Sequence, residues 1–229
     1  MKNILLCLTV LVLAISCSQD SDLDSKIAGA EVTSLKNISP ENLSNRMEKE
    51  GKRYYEALEQ YLKQNDDPAS VAQMTDYLNF ISKSISQNNL TGRVVIPFTD
   101  EWVESIIDNP DSSLMTIVES STLSYGAKSN VTSFLQALMG QRQEEFSVLH
   151  SFIVSYENNL NNDTSLVEDE KDTLLTVASI SRYSLYSAAE RKDRDWEKSA
   201  GSKPAASFLK PDLVADITII GLLKKLITQ

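Results

Sequence analysis

Residues 71–85 read VAQMTDYLNFISKSI. Val71, Met74, Leu78, Ile81 and Ile85 recur at steps of three or four, which gathers them on one face of an α-helix instead of alternating them across a strand. The polar residues between them fall on the opposite side, so the segment predicts an amphipathic helix with one stripe turned to a core. Just upstream, Asp67 and Pro68 supply a helix-start signal. Before that, Met47, Tyr54, Leu58, Tyr61 and Leu62 keep the same spacing behind "SPEN", where Ser39 is expected to cap a helix opening on Pro40. Two helices separated by so short a turn predict an antiparallel hairpin.

Working outward, the helical period persists. "NNLTGRVVIPF" (88–98) interrupts it; Val94, Val95 and Ile96 have no second strand signal nearby, so an extended crossover is expected rather than a sheet. A short helix is predicted over Asp100–Ile107, and "DNPDSS" restarts another through Val118. Residues 119–130 are ambiguous, with a break expected at Gly126. From Asn130 to Tyr156, Val131, Leu135, Leu138, Leu149, Phe152 and Tyr156 share a stripe, on which Arg142 occupies a position suited to an apolar residue. "SLVE" reads as a capping box between Ser165 and Glu168, opening a helix that runs to about Arg194. Ala178, Ser181 and Ala188 give that helix a small face for close contact. Pro211 opens a last helix, "DLVADITIIGLLKKLIT", apolar on most faces and shorter than a membrane span, which predicts a buried central helix; display towards a membrane or a partner groove is the alternative. Seven glycines and six prolines are few for a turn-rich sandwich. The fold expected is all-α: an irregular multi-helix bundle over residues 39–229, in a single domain, behind a disordered N-terminal tether.

The first residues point to an address. Lys2 precedes "ILLCLTVLVLAI" (Ile4 to Ile15), an apolar run of 12 residues, the length of a secretory signal core and too short to cross a bilayer. Ala14 and Ser16 satisfy the small-x-small rule for ordinary cleavage before Cys17. "LAISC" also resembles a bacterial lipobox, in which the cysteine thiol is acylated. With residues 1–16 removed, Cys17 is the only cysteine left, a lone thiol with no disulfide partner. We therefore read residues 1–16 as a lipoprotein signal peptide and Cys17 as the lipidation site. Acyl chains contributing about 0.8 kcal/mol per buried CH₂ would hold the chain firmly to a membrane. Residues 17–38 are then an acidic tether. Ser18 resembles lipoproteins that leave the inner membrane, and Asp20, Asp22 and Asp24 resemble the acidic surface-export signal of Bacteroidetes lipoproteins. A solvated spacer reads equally well. The expected location is the outer membrane, lipid-anchored, with the cell exterior as one of two possible faces.

Composition narrows the partners. The chain carries a net charge of −10, and loss of Lys2 with the leader makes it more negative still. Nucleic acid and anionic membranes are repelled by such a surface, so no nucleic-acid partner is expected.

Chemistry-bearing residues are sparse. His150 is the only histidine; flanked on its helix by Phe146 and Ile153, it reads as a packing residue bordering the core, with a ligand or general base as the alternative. With no second histidine and no spare thiol, histidine-based zinc sites are excluded, and no metal or cofactor is expected. No G-x-S-x-G elbow, phosphate loop or dinucleotide fingerprint occurs. The carboxylates of "EDEKD" (168–172) open a helix, where negative charge suits the macrodipole. Glu145 is placed to pair with Arg142, and Arg142, Glu145 and His150 together form the candidate polar pocket. Tyr54, Tyr61 and Tyr77 read as core filling, with a carbohydrate- or peptide-stacking patch as the alternative.

Finally, "ISRYSLYSAAERKDRDWEKSAG…KPDLVADITIIG", within residues 178–222, resembles the closing segment of uncharacterised Bacteroidetes lipoproteins, in which an Arg/Lys-Tyr-Ser…Tyr helix precedes an aspartate-led apolar helix. That resemblance implies no activity. The function expected is that of a membrane-anchored lipoprotein whose helical domain binds a protein or carbohydrate ligand or serves structurally, without catalysis. The alternatives are an envelope effector or immunity-type protein acting through the C-terminal helix, and a carboxylate-based hydrolase.

Overall fold

The computed structural model describes residues 38–86, 97–199 and 209–227, and every regular element among them is helical. In chain order these are α1 (Glu48–Leu62), α2 (Val71–Ser86), α3 (Asp100–Asp108), α4 (Pro110–Glu119), α5 (Tyr125–Gly140), α6 (Phe146–Asn162), α7 (Glu168–Ser199) and α8 (Pro211–Ile227). The expected leader, the tether to residue 37 and most of the 88–98 crossover lie outside the described residues.

Two helices organise the rest. α7 packs against α1, α6, α5 and α8, while α8 also meets α2, α3 and α4. Their sequences explain this central position. Ala178, Ser181 and Ala188 of α7 are buried, so backbones can approach closely, and α8 is apolar all round, so it needs neighbours on every side. Val214, Ile217, Ile220 and Leu223 are almost wholly buried, as a core position for this helix requires. Tyr54, Tyr61 and Tyr77 are core residues too, with the Tyr54 hydroxyl donating to Ser184 Oγ at 3.1 Å. No helix among the described residues is long and apolar enough to cross a membrane.

Several helix starts differ from the sequence reading. Residues 38–47 form turns, not the first turns of α1. Asn42 Oδ1 accepts from the Ser44 N–H and Asn45 Oδ1 from the Met47 N–H, local bonds that compete with a helix. The start of α2 is set by Ser70 rather than Asp67: Ser70 Oγ accepts from the Gln73 N–H, and Gln73 Oε1 accepts from the Ala69 N–H. Gly126 is no break, since α5 starts with Ser124 as its cap, accepting from the Ala127 N–H. The stripe read from Asn130 to Tyr156 belongs to two helices parted by a turn at residues 141–145. Ser165 and Glu168 form no capping box: Ser165 donates to Asp163, while Glu168 faces Arg46 and Lys171.

α1 crosses α7 at Gly51. A Cβ built there would lie 2.2 Å from Ser179 Oγ and 2.5 Å from Tyr183 Cδ2, inside any tolerable contact, whereas one at Gly140 would meet nothing within 4 Å. Gly51→Ala should therefore destabilise the protein by about 1–3 kcal/mol or more through overpacking. Gly140→Ala should be neutral or stabilise by up to about 1 kcal/mol. Thermal unfolding of the two variants beside the parent checks the contrast; equal midpoints would contradict the close α1–α7 crossing.

Candidate functional site

The densest polar constellation lies where residues 38–48 meet α6 and α7. Arg182 of α7 is completely buried and its guanidinium is partnered all round. Its Nε donates to Glu157 of α6 at 3.0 and 3.1 Å, Nη2 donates to Glu48 at 2.5 Å, and Nη1 donates to the Pro40 carbonyl. Glu157, also fully buried, takes further bonds from Asn42 and Asn45, each at 2.6 Å. Glu48 accepts from the Tyr183 hydroxyl at 2.7 Å, and Asn45 also donates to the Leu175 carbonyl. Burial pushes the Glu157 carboxyl above the usual carboxylate range, while Arg182, Asn42 and Asn45 pull it back without cancelling the rise.

The geometry fastens more readily than it catalyses. A buried cation with carboxylates on two sides is stable only while every partner stays in place. Here the partners come from the first described segment, the start of α1 and two later helices, so the cluster mounts the N-terminal end of the domain onto α6–α7. One signal for it lies in the sequence: Arg182 is the only charged residue from Thr173 to Ala189, in a stretch otherwise made of apolar, tyrosine and small polar residues.

The structure scatters the three residues expected to share a pocket. Arg142 stands in the α5–α6 turn, 45% exposed, with Nη1 3.5 Å from Asp216 Oδ2 of α8 instead of near Glu145. Glu145 is exposed at the start of α6 and makes no side-chain cap bond. His150 is half-buried with its ring 5.7 Å from Phe146, and its Nε2 has no partner. Burial, then the nearby Arg182 charge, lower its pKa. No hydrogen bond or ion pair joins the three. Among the described residues no cluster of histidine, cysteine or carboxylate side chains has the makings of a metal site.

Asp216 interrupts the apolar run of α8. It lies 2% exposed beside a recess of about 10 Å³ lined by Leu135, Leu138, Met139, Ile219 and Ile220, room for a single water at most. Burial raises its pKa to about 6, and Arg142 only partly offsets that. A separate open cleft of about 290 Å³ gathers Glu59, Asn65, Asp66, Asp67, Arg191 and Arg194. There the buried Arg191 is already committed to Asp67.

Removing Arg182 alone strands two buried carboxylates. Arg182→Met should cost about 3–5 kcal/mol, and adding Glu157→Met should restore part of it. Denaturant unfolding of the single and double variants measures the coupling. For Asp216 the folded state binds its proton more readily than the unfolded chain does. Its contribution to stability should therefore rise as pH falls from about 7 towards 4, and Asp216→Asn should raise the melting temperature at pH 7.5 and flatten that stretch of the profile. Melting curves across that range test the sign. Comparison with protein-family models, with curated proteins and with solved structures finds no match to this chain.

Proposed function

We propose that this protein is a lipid-anchored bacterial lipoprotein of the outer membrane, whose helical domain acts by binding or by structural interaction and not by catalysis. The observation that carries the reading is the mount. The leader and Cys17 imply a tether that ends near residue 38, and the first described residues after it are held by Arg182 through the Pro40 carbonyl and by Glu157 through Asn42 and Asn45. A domain that hangs from its N-terminus needs that end fixed, and a sealed charge cluster does this. The burial of α8 supports the same reading over one in which that helix is displayed, because its apolar faces are spent on α7 and on α2–α4. The charged groups drawn into the interior are occupied by one another, which leaves the outer faces of the helices as the surface for interaction.

Cys17→Ser should move the protein from the membrane to the soluble fraction and abolish incorporation of labelled palmitate. Fractionation and metabolic labelling read both effects; a variant that stays on the membrane unlabelled would defeat the anchor.

A further inference from the structure

We propose that the open cleft where α1 ends beside α7 is a binding site for a small zwitterion, an ammonium and a carboxylate carried on one free amino acid or dipeptide. The inference rests on the reading of the domain as an anchored binding module and names the ligand class.

Two stretches of chain build the cleft. Glu59, Leu62 and Lys63 share one face of α1 by their spacing, and the turn at residues 65–67 continues from them. Arg191 and Arg194, about one turn apart, come from α7. The volume of about 290 Å³ matches roughly ten waters at about 30 Å³ each, at the lower edge of the range for ligand pockets. A small polar molecule fits such a space.

Arg191 carries the inference. It is 4% exposed, and the little surface it keeps opens onto the cleft it lines. Its Nε donates to the Ser187 carbonyl at 3.3 Å and its Nη1 to Asp67, and among the described residues nothing accepts from Nη2. A guanidinium N–H withdrawn this far from solvent is costly without an acceptor. A carboxylate oxygen is the charge-matched partner for it.

The other lining groups divide by sign. Lys63 and Arg194 are exposed cations, Glu59 and Asp66 are carboxylates, and among the described residues no ion pair engages any of the four. α1 ends at Leu62, so the negative end of its dipole adds to the side of Asp66. With the Arg191–Asp67 pair closed on itself, two positive and two negative groups remain around the cleft.

That balance selects the ligand. A simple anion meets Glu59, Asp66 and a chain whose net charge is −10, while a simple cation meets Arg191 and Arg194. A molecule bearing both charges sets its carboxylate on Arg191 Nη2 and Arg194 and its ammonium on Asp66 and Glu59. Leu62 is the only apolar side chain in the lining, so nothing here calls for a large apolar ligand.

Isothermal titration calorimetry of the full chain in detergent, with L-alanine and L-alanyl-L-alanine as probes, tests the proposal. At least one should bind with a Kd of about 1 mM or tighter. Acetylating its amine or amidating its carboxylate should each weaken binding about tenfold or more. Arg194→Gln and Asp66→Asn, both at exposed positions, should each weaken it about three- to fivefold and leave the thermal transition in place. Arg191→Lys keeps a cation for Asp67 but loses the planar fork, and should weaken binding more than either. The proposal is overturned if neither probe binds up to about 10 mM. A blocked probe that binds as tightly as its parent also overturns it, because the site would then answer to one charge only. So does unchanged binding by both exposed variants. Glycerophosphoethanolamine carries an ammonium and a phosphate, and binding of that compound alone would replace the amino acid with a lipid headgroup. Membrane fractionation of Cys17→Ser reads the anchor separately, so either result can fail without the other.

Discussion

Arg182 is the constraint around which the described structure is arranged. A guanidinium cannot shed its charge, so burying it obliges the surrounding chain to supply acceptors on every side. Glu157 and Glu48 provide the counter-charge and the Pro40 carbonyl fills the remaining direction. Meeting that demand fixes α6 beside α7, holds the first residue of α1 against them and keeps residues 38–47 out of the helix they would otherwise extend. The local turns made by Asn42 and Asn45 belong to the same solution, since both side chains also reach Glu157.

On the other side of α7 the organising force is apolar burial. α8 has no polar face of its own, so it is stable only when surrounded, and α2, α3, α4 and α7 surround it. Gly221 lets Leu78 of α2 come within 3.2 Å of the place a Cβ would occupy. The two carboxylates of α8 each have a cation: Asp216 with Arg142, and Asp212 with Lys192 at 2.6 Å. At the C-terminal end Lys224 and Lys225 lie over the rings of Trp102 and Phe98, at 4.2 and 4.7 Å, tying α8 to α3 and the residues before it. Charge drawn into the interior is thus paired, often with a partner far along the chain.

The helical content was legible because it depends on nearest neighbours along the chain. Val71, Met74, Leu78 and Ile81 share a face whatever packs against it, Pro110 suits a helix start, and a run like that of α8 favours an interior place over display. The burial of Tyr54, Tyr61 and Tyr77 follows from the same periodicity. Helix starts were less legible where a side chain had two possible partners. Asp67 is as good a cap as Ser70 until Arg191 claims it, and Ser39 cannot open a helix at Pro40 once that carbonyl belongs to Arg182.

Pairing of distant charges was decided by the tertiary structure alone. Arg142 and Glu145 are three residues apart and look like partners on a continuous helix, but the turn at 141–145 breaks the period and turns Arg142 towards Asp216. Nothing local links Arg182 to Glu157 or Glu48, because such a bond exists only after three helices have met and water has left. Periodicity is a property of the backbone and is written into every window of the sequence. Desolvation, which turns an ordinary arginine into the fastening of a domain, is a property of the assembled interior.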